Sequence, residues 1–356
     1  GPFRPWRWGI LAASGPLSLA LGWLAGFAPG WVESGYARGL YPIFARLQAG
    51  LFGRVPGSVF EGALLLGVLG LLAWALWSLR LRAPFWPKVG RGALRLVGLA
   101  GLLVALAMGL WGFNHRRQPL AQQLGWILAP ASVPELEALA VELREELVRA
   151  EAGLPRTPEG TLAPGADLGG AGEGYGRLPA HWAVHHTPHA RPKGLRWPRL
   201  LSVTLTGGFF SPWTGEAHVN AELPVCDQPF TACHELAHQK GFAREDEANF
   251  LGHAAAVAHP DRRFAYSAHL AAFLEAVGRL PEPQRSSLLR DLPPGVVADL
   301  RARRAFVARH RHAVSRASQA VYAGYLRSQG TPDALRSYGR FLDLLLAQRR
   351  LRLAKG

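Results

Sequence analysis

The sequence has little cysteine and few charged residues for its length. Cys226 and Cys233 are the only cysteines among 356 residues. Two cysteines exclude a disulfide-rich scaffold and a four-cysteine zinc module. Free, partly buried thiols are the favoured state, and a bridge is the alternative for a domain outside the cytoplasm. Charged residues make up only 18% of the chain and hydrophobic residues 49%. This composition is too apolar for an ordinary soluble enzyme and directs attention to long apolar runs.

Acidic residues are also scarce relative to basic ones. The chain has 25 Asp and Glu against 40 Lys and Arg, a formal net charge of +15. The basic residues are mostly Arg, are scattered along the chain and form no aromatic–basic repeat, so nucleic acid is not the expected partner. Anionic lipid head groups account for the charge more simply.

Three apolar runs occupy the first third of the chain, at about residues 8–32, 59–79 and 93–113. Each approaches the roughly 20 residues that a helix needs to cross a bilayer. Tryptophans near their ends match an interfacial belt. We therefore predict three transmembrane helices in a lipid bilayer. The alternatives are helices buried in a soluble core and, for the first run, a cleaved signal peptide.

Basic residues beside these runs predict the orientation. They precede the first run and crowd the loop between the second and third, as Arg4, Arg7, Arg80, Arg82, Lys88, Arg91 and Arg95. The excess of Lys and Arg on the cytoplasmic side predicts a cytoplasmic N-terminus and an extracytoplasmic domain after the third run. Arg116 and Arg117 count against this orientation. The loop between the first two runs is amphipathic, which predicts a helix in the membrane interface.

From residue 118 onward the sequence has the pattern of a soluble domain. Ser132 and Glu135 form a capping-box signature before a helical period that extends to about residue 154. A Gly- and Pro-rich stretch at 153–179 predicts a loop. Residues 200–205 and 216–220 are predicted strands, and the chain from Pro229 is predicted to be mostly helical.

The segment 231–256 contains a His-Glu-Leu-Ala-His motif. His234 and His238 are four residues apart, so on a helix both imidazoles lie on one face and can reach one zinc ion. Glu235 is offset by one residue, which puts its carboxylate beside the metal, where a general base takes a proton from water. Gly241 is the expected C-cap of this helix. The alternative is a helix that carries two surface histidines and a glutamate.

A third ligand is expected shortly after the motif. A histidine three residues after Gly241 would complete a common zinc motif, but that position is Arg244, which keeps its proton and cannot ligate. Three acidic residues follow: Glu245, Asp246 and Glu247. On a helix that starts here, Glu245 shares a face with Ala248, Asn249 and Gly252. Because Glu247 points about 160° away from Glu245, Glu245 is the favoured ligand, Glu247 is the alternative, and Asn249 is a candidate to orient a ligand.

Other residues are weaker candidates. Stabilisation of an oxyanion is a conceivable role for His218, Tyr266 and His269, although such side chains are more often packed residues. The histidine-rich tract contains His181, His185, His186 and His189, and its prolines favour an ordinary loop. The predicted strand at 216–220 fits an edge strand that pairs with an extended peptide, with a purely structural role as the alternative.

Long stretches of the sequence resemble an uncharacterised bacterial membrane family, a domain of unknown function with a three-helix anchor and an HExxH domain. The stretches that carry the resemblance are GLYPIFARL, WGFNHRRQPL, SPWTGEAHVNAELP, FTACHELAHQKGFAREDEANF, VYAGYLRSQG and SYGRFLDLLL. The resemblance implies a zinc peptidase architecture with His234, Glu235 and His238 at the metal. The EDEAN segment also looks like the ExxAN element of membrane-bound heat-shock and prenyl-protein proteases, whose first Glu ligates, which implies Glu245.

These observations predict a predominantly α membrane anchor at 1–117 and a mostly helical, zincin-like α+β domain with a small sheet at 118–356. The expected function is that of a zinc-dependent metallohydrolase of the bacterial cell membrane. Zn²⁺ is held by His234, His238 and Glu245, and Glu235 acts as general base on a peptide or protein substrate. The alternative is a non-catalytic, metal-stabilised module for sensing or scaffolding.

Overall fold

The computed structural model describes residues 4–80, 84–182, 184–311 and 337–354, with a few positions between 314 and 324. The described chain is mostly helical and contains a small three-stranded sheet. It divides into two compact units. The first comprises Gly1–Gln118 together with Ser211–Gly215, and the second comprises Pro119–Phe210 and Glu216–Gly356.

The first unit consists of helices. They are α1 (Pro5–Ala25), α2 (Pro29–Trp31), a π-helical segment (Val32–Leu40), α3 (Tyr41–Phe52), α4 (Val59–Arg80), α5 (Phe85–Leu110) and a 3-10 segment (Gly112–Arg116). Helices α1, α4 and α5 are long and apolar enough to cross a membrane, which agrees with the three predicted spans. Helix α1 ends at Ala25, before the end of the first apolar run, and α5 begins at Phe85, before the start of the third.

Close glycine contacts hold two of these long helices together. A Cβ on Gly15 of α1 would lie 3.0 Å from the Cα of Gly101 on α5, so only glycine permits this approach. Helix α4, unlike α1 and α5, has no buried glycine: Glu61 is its only buried residue, and its leucines are exposed. Exposed apolar side chains on this scale fit contact with lipid.

The amphipathic loop between the first two spans is helical, as predicted. Its apolar side packs within the first unit, where Tyr36 and Tyr41 are buried and the Tyr36 hydroxyl donates to the Gly109 carbonyl at 2.9 Å. Glu33 accepts two hydrogen bonds of 2.8 Å from the buried Arg117 guanidinium. A bidentate pair of this kind fixes the segment relative to the end of α5.

The second unit contains ten of the described helices. They are α6 (Leu120–Gln123), α7 (Val133–Glu151), α8 (Gly172–Tyr175), α9 (Arg199–Thr204), α10 (Gln228–Gln239), α11 (Glu245–Ala258), α12 (Arg262–Arg279), α13 (Gln284–Leu289), α14 (Pro294–His310) and α15 (Ser337–Leu353). The capping box of Ser132 and Glu135 begins α7, as predicted. The core lies among α7, α10, α11, α12 and α15, and its fully buried members include Leu147, Leu236, Phe250, Phe273 and Leu342. Of the C-terminal stretches that carry the resemblance, most of residues 321–330 lie outside the described residues.

The sheet consists of β1 (Lys193–Gly194), β2 (Gly208–Ser211) and β3 (Glu216–Val219) in the order β1-β3-β2. Strand β1 pairs in parallel with β3, Lys193 opposite His218. The prediction of a strand at 216–220 is confirmed, but its assignment as an edge strand was wrong. Strand β3 is central and all four of its residues are buried, which leaves β2 and β1 at the edges.

The predicted strand at 200–205 was also wrong, because these residues form helix α9. A short apolar run does not distinguish a strand from a helix by its pattern alone. Here the Ser202 and Thr204 hydroxyls donate to the carbonyls of Pro198 and Leu201, one turn earlier. Leu205 then ends the helix in the left-handed conformation.

Candidate metal centre

Helix α10 carries the two histidines of the motif and has well-defined ends. Pro229 lies in its first turn, where its missing N–H costs nothing. At the other end Gly241 has a φ of +81°. The Gly241 N–H donates to His238 and the Phe242 N–H donates to Ala237. This pair of bonds is a Schellman motif, and it requires a left-handed residue that glycine supplies without strain.

Helix α11 begins only a few residues later, with Glu245 in its first turn. It packs closely against α10 because Gly252 has no side chain. A Cβ there would lie 2.9 Å from the His234 backbone nitrogen and 3.0 Å from its Cα. Ala248, on the same face, is fully buried. The small residues of α11 therefore bring Glu245 to the histidines of α10.

His234, His238 and Glu245 converge on one point. The two histidine Nε2 atoms are 3.1 Å apart. Glu245 Oε2 lies 3.3 Å from His234 Nε2, and Glu245 Oε1 lies 3.6 Å from His238 Nε2. Ligands about 2.0–2.2 Å from a tetrahedral ion lie about 3.3 Å from each other. Within the described ranges these three residues form a cluster that could hold a metal ion, and their donor set and spacing fit zinc.

The backbone beyond α10 orients one of the ligands. His238 Nδ1 lies 2.8 Å from the Phe242 carbonyl oxygen. A carbonyl only accepts, so Nδ1 carries the proton and Nε2 offers its lone pair to the cluster. The Schellman turn thus ends the helix and also fixes the tautomer of His238. Sequence reasoning missed the role of Phe242, since a backbone carbonyl leaves no signal in residue type.

The pKa values of the two histidines in the cluster shift in opposite directions. Burial disfavours the charged form of His234, but the hydrogen bond and negative charge of Glu245 outweigh it and raise the pKa to about 9. Burial lowers the pKa of His238 to about 4, against the attraction of Glu245. The added proton therefore resides on His234, and a bound cation would take the place of that positive charge.

Glu235 lies beside the cluster and outside it. It is buried, and its Oε2 has no hydrogen-bond partner in the part of the chain that the structure describes. Burial raises its pKa to about 8, which the positive charge of His234 opposes. A carboxylate with an available oxygen and a pKa near neutrality can accept and release a proton. The backbone of Gly208 in β2 comes close to it, since a Cβ at Gly208 would lie 2.8 Å from Glu235 Oε1.

The structure separates Glu247 from the cluster. Its Oε1 accepts a hydrogen bond of 2.7 Å from the Leu120 backbone N–H and lies 3.9 Å from the Arg244 guanidinium. Glu247 therefore holds α6 against α11, and Glu245 is the acid that the fold brings to the histidines. Asn249, predicted to orient a ligand, interacts with His234 and favours its charged form.

Other candidate residues have partners elsewhere. The Tyr266 hydroxyl donates to Asp299 at 2.5 Å, and the His269 ring contacts His253 with centroids 5.4 Å apart. The His218 ring stacks on Phe209. Their proposed oxyanion roles gain no support from these contacts. The histidine-rich tract of residues 181–189 contributes nothing to the cluster of three.

The comparisons with known proteins give one match. The model of a family described as "Protein of unknown function (DUF3810)" matches residues 36–346. No curated protein and no solved structure matches the chain.

Proposed function

Because the chain belongs to the DUF3810 family of proteins of unknown function, we propose its function from the site itself: a membrane-anchored, zinc-dependent metallohydrolase that acts on peptides. The observation that carries this proposal is the convergence of His234, His238 and Glu245, with Glu235 beside them. Three ligands leave a coordination position for chemistry, as in catalytic zinc sites, whereas structural sites use four protein ligands.

Zinc, when bound by these three residues, supplies Lewis-acid activation of water and of the carbonyl to be cleaved. Glu235 takes the proton from the attacking water on its available oxygen and passes it to the leaving nitrogen. This transfer is general acid–base catalysis. His238 is held by Phe242, and Glu245 is held at the start of α11, so the ligands need no rearrangement.

A peptide is the favoured substrate because of the sheet beside Glu235. Strand β2 lies at the edge of the sheet, and its Gly208 adjoins Glu235. An extended peptide that runs past Gly208 would lie next to the general base.

The test uses the full-length protein in detergent. We expect about one zinc ion per chain by mass spectrometry of metals and most of it lost in His238→Ala, with His181→Ala at an exposed position as control. Glu235→Gln should keep its zinc but cleave a random-sequence peptide mixture about 10²–10⁴-fold more slowly. The exposed Glu222→Gln is the matched control. Unimpaired cleavage by Glu235→Gln rules out the general base. If the zinc-loaded wild type cleaves no peptide, the peptidase proposal fails, and the alternative of a non-catalytic, metal-stabilised module is favoured.

A further inference from the structure

A pocket of about 570 Å³ opens beside the metal cluster in the second unit. Its walls come from the end of α9, the start of α10, and helices α12 and α14. This volume lies within the range of small-ligand pockets, about 300–1,000 Å³. Nothing in the chemistry described above uses it.

The pocket adjoins the reacting groups along α10. Phe230 and Thr231 line it and precede His234 by one turn, and the Phe230 and His234 rings are 6.4 Å apart. Gly207 also lines it, next to Gly208, which adjoins Glu235. One helical turn is about 5.4 Å. The lining of the pocket therefore reaches to within one helical turn of the ligand His234.

The lining has two chemical characters. One part is apolar and consists of Leu205, Leu223, Phe230, Ala271, Phe306 and Val307. The other part is cationic and consists of Arg303, Arg311 and Arg316 against the single acid Asp227. A ligand that fits both parts carries a bulky apolar group and a negative charge.

Arg303 is the cation best placed to bind an anion. Its Nε lies 3.0 Å from Asp227 Oδ1, which anchors the guanidinium to the start of α10. Its Nη1 is buried and has no hydrogen-bond partner in the described part of the chain. A buried donor without a partner is costly, and a carboxylate would satisfy it with a charge-assisted bond.

We propose that this pocket is the specificity site of the hydrolase, and that it selects a substrate with a large apolar side chain and an adjacent carboxylate that Arg303 binds. The proposal rests on the peptidase function proposed above. The carboxylate has two possible sources, the side chain of an acidic residue or the C-terminus of a peptide cleaved near its end. Both offer the same chemistry to Arg303.

The test measures binding apart from turnover, in zinc-loaded full-length Glu235→Gln protein in detergent. Fluorescence polarisation follows four fluorescein-labelled pentapeptides that begin with three alanines. They end in Phe-Asp, Phe-Asn, Phe-Asn amide and Ala-Asp. We expect Phe-Asp to bind about tenfold tighter than Phe-Asn amide. Phe-Asn with a free C-terminus reports whether the C-terminal carboxylate suffices. Ala-Asp should bind weakly, because it leaves the apolar part empty.

Variants of the pocket identify the residues responsible. Adding Arg303→Gln should abolish the preference for the charged peptides and leave Phe-Asn amide unchanged. Arg304→Gln removes the same charge from an exposed neighbour on α14 that does not line the pocket, and it should keep the preference. Ala271→Phe fills the apolar part and should weaken Phe-Asp and Phe-Asn alike.

Equal binding of all four peptides, or an unchanged preference in Arg303→Gln, would overturn the specificity site. Tighter binding of oleate than of Phe-Asp would assign the pocket to a lipid and overturn it too. Neither result bears on whether the wild type cleaves peptides. Alternatively, binding follows the expected pattern while the zinc-loaded wild type cleaves neither the four peptides nor the random mixture. That result would contradict the peptidase function and support a selective binding pocket.

Discussion

At the scale of single residues, the position of Glu235 depends on the absence of a Cβ atom at Gly208. A Cβ on Gly208 would meet the backbone carbonyl of His218 and would lie 2.8 Å from both Cγ and Oε1 of Glu235. A Cβ on Gly194 of strand β1 would meet nothing within 4 Å. The two glycines therefore make opposite predictions for the same added methyl group.

We expect Gly208→Ala to lower peptide cleavage at least about tenfold, because the methyl group displaces either the strand that faces His218 or the general base Glu235, and a shift of a fraction of an ångström disturbs proton transfer. Zinc content should stay at the wild-type level. Gly194→Ala should keep cleavage within about twofold. Parallel measurement of zinc and cleavage on both variants checks this prediction. Equal activity in the two alanine variants would show that Glu235 tolerates the methyl group.

Two buried histidines outside the metal cluster predict how stability changes with pH. Burial lowers the pKa of His253 to about 3, and the nearby His269 adds to this effect. Burial lowers the pKa of His269 to about 4; Glu146 opposes this shift and Arg149 adds to it. Within the described residues, His253 Nε2 and His269 Nδ1 have no hydrogen-bond partner. Burial outweighs the attraction of Glu146 for His269, so the neutral form of both rings is favoured in the folded state.

Above pH 6.5 these histidines are neutral in both the folded and unfolded states. As the pH falls below 6.5, the two histidines bind protons in the unfolded chain but stay neutral in the folded protein. The free energy of unfolding therefore falls between pH 6.5 and about 3. For His253 the loss at pH 5 is about 2 kcal/mol. The variant His253→Leu should lack this loss of stability. Its melting temperature should therefore fall less between pH 7.5 and 5 than that of the wild type. The exposed His181→Leu is the control, and superimposable pH profiles for wild type and His253→Leu would contradict the prediction.

At the scale of secondary-structure elements, the spacing of α10 and α11 controls the metal cluster. Gly252 lets α11 approach the backbone of His234, and backbone atoms cannot move aside as a flexible side chain can. Gly252→Ala should push the helices apart, destabilise the protein by about 1–3 kcal/mol and weaken zinc binding through displacement of Glu245.

Gly278 near the end of α12 is the matched control. A Cβ at that position meets nothing within 4 Å. Gly278→Ala should therefore raise stability by about 0.4–1 kcal/mol, because alanine restricts the unfolded chain more than glycine does. Thermal unfolding and zinc content of both variants are the measurements. A Gly252→Ala protein that melts like the wild type and keeps its zinc would show that the helix contact is not limiting.

At the scale of the whole molecule, three helices of membrane length suggest a membrane protein. The side of the membrane on which the second unit lies remains a prediction from the basic residues near the spans. Alkaline phosphatase, which is active only outside the cytoplasm, can be fused after Gln118. It should be active there and inactive when fused between α4 and α5. The reverse pattern would place the candidate metal centre in the cytoplasm.

Some of this protein follows from its sequence alone. Length and apolarity determine the three membrane-length helices, since a bilayer sets the number of apolar residues required. The i, i+4 spacing places His234 and His238 on one helical face, and Gly241 determines where that helix ends. These features depend on local periodicity and backbone conformation, which neighbouring residues specify.

The rest was decided by tertiary contacts. Glu245 and Glu247 both start α11, and only the packing of α11 on α10 through Gly252 brings one to the histidines and the other to Leu120. Residues 200–205 became a helix and strand β3 became central, because burial and pairing partners override a short apolar pattern. The contact of Gly208 with Glu235 joins residues that are distant along the chain, so only the folded chain shows it.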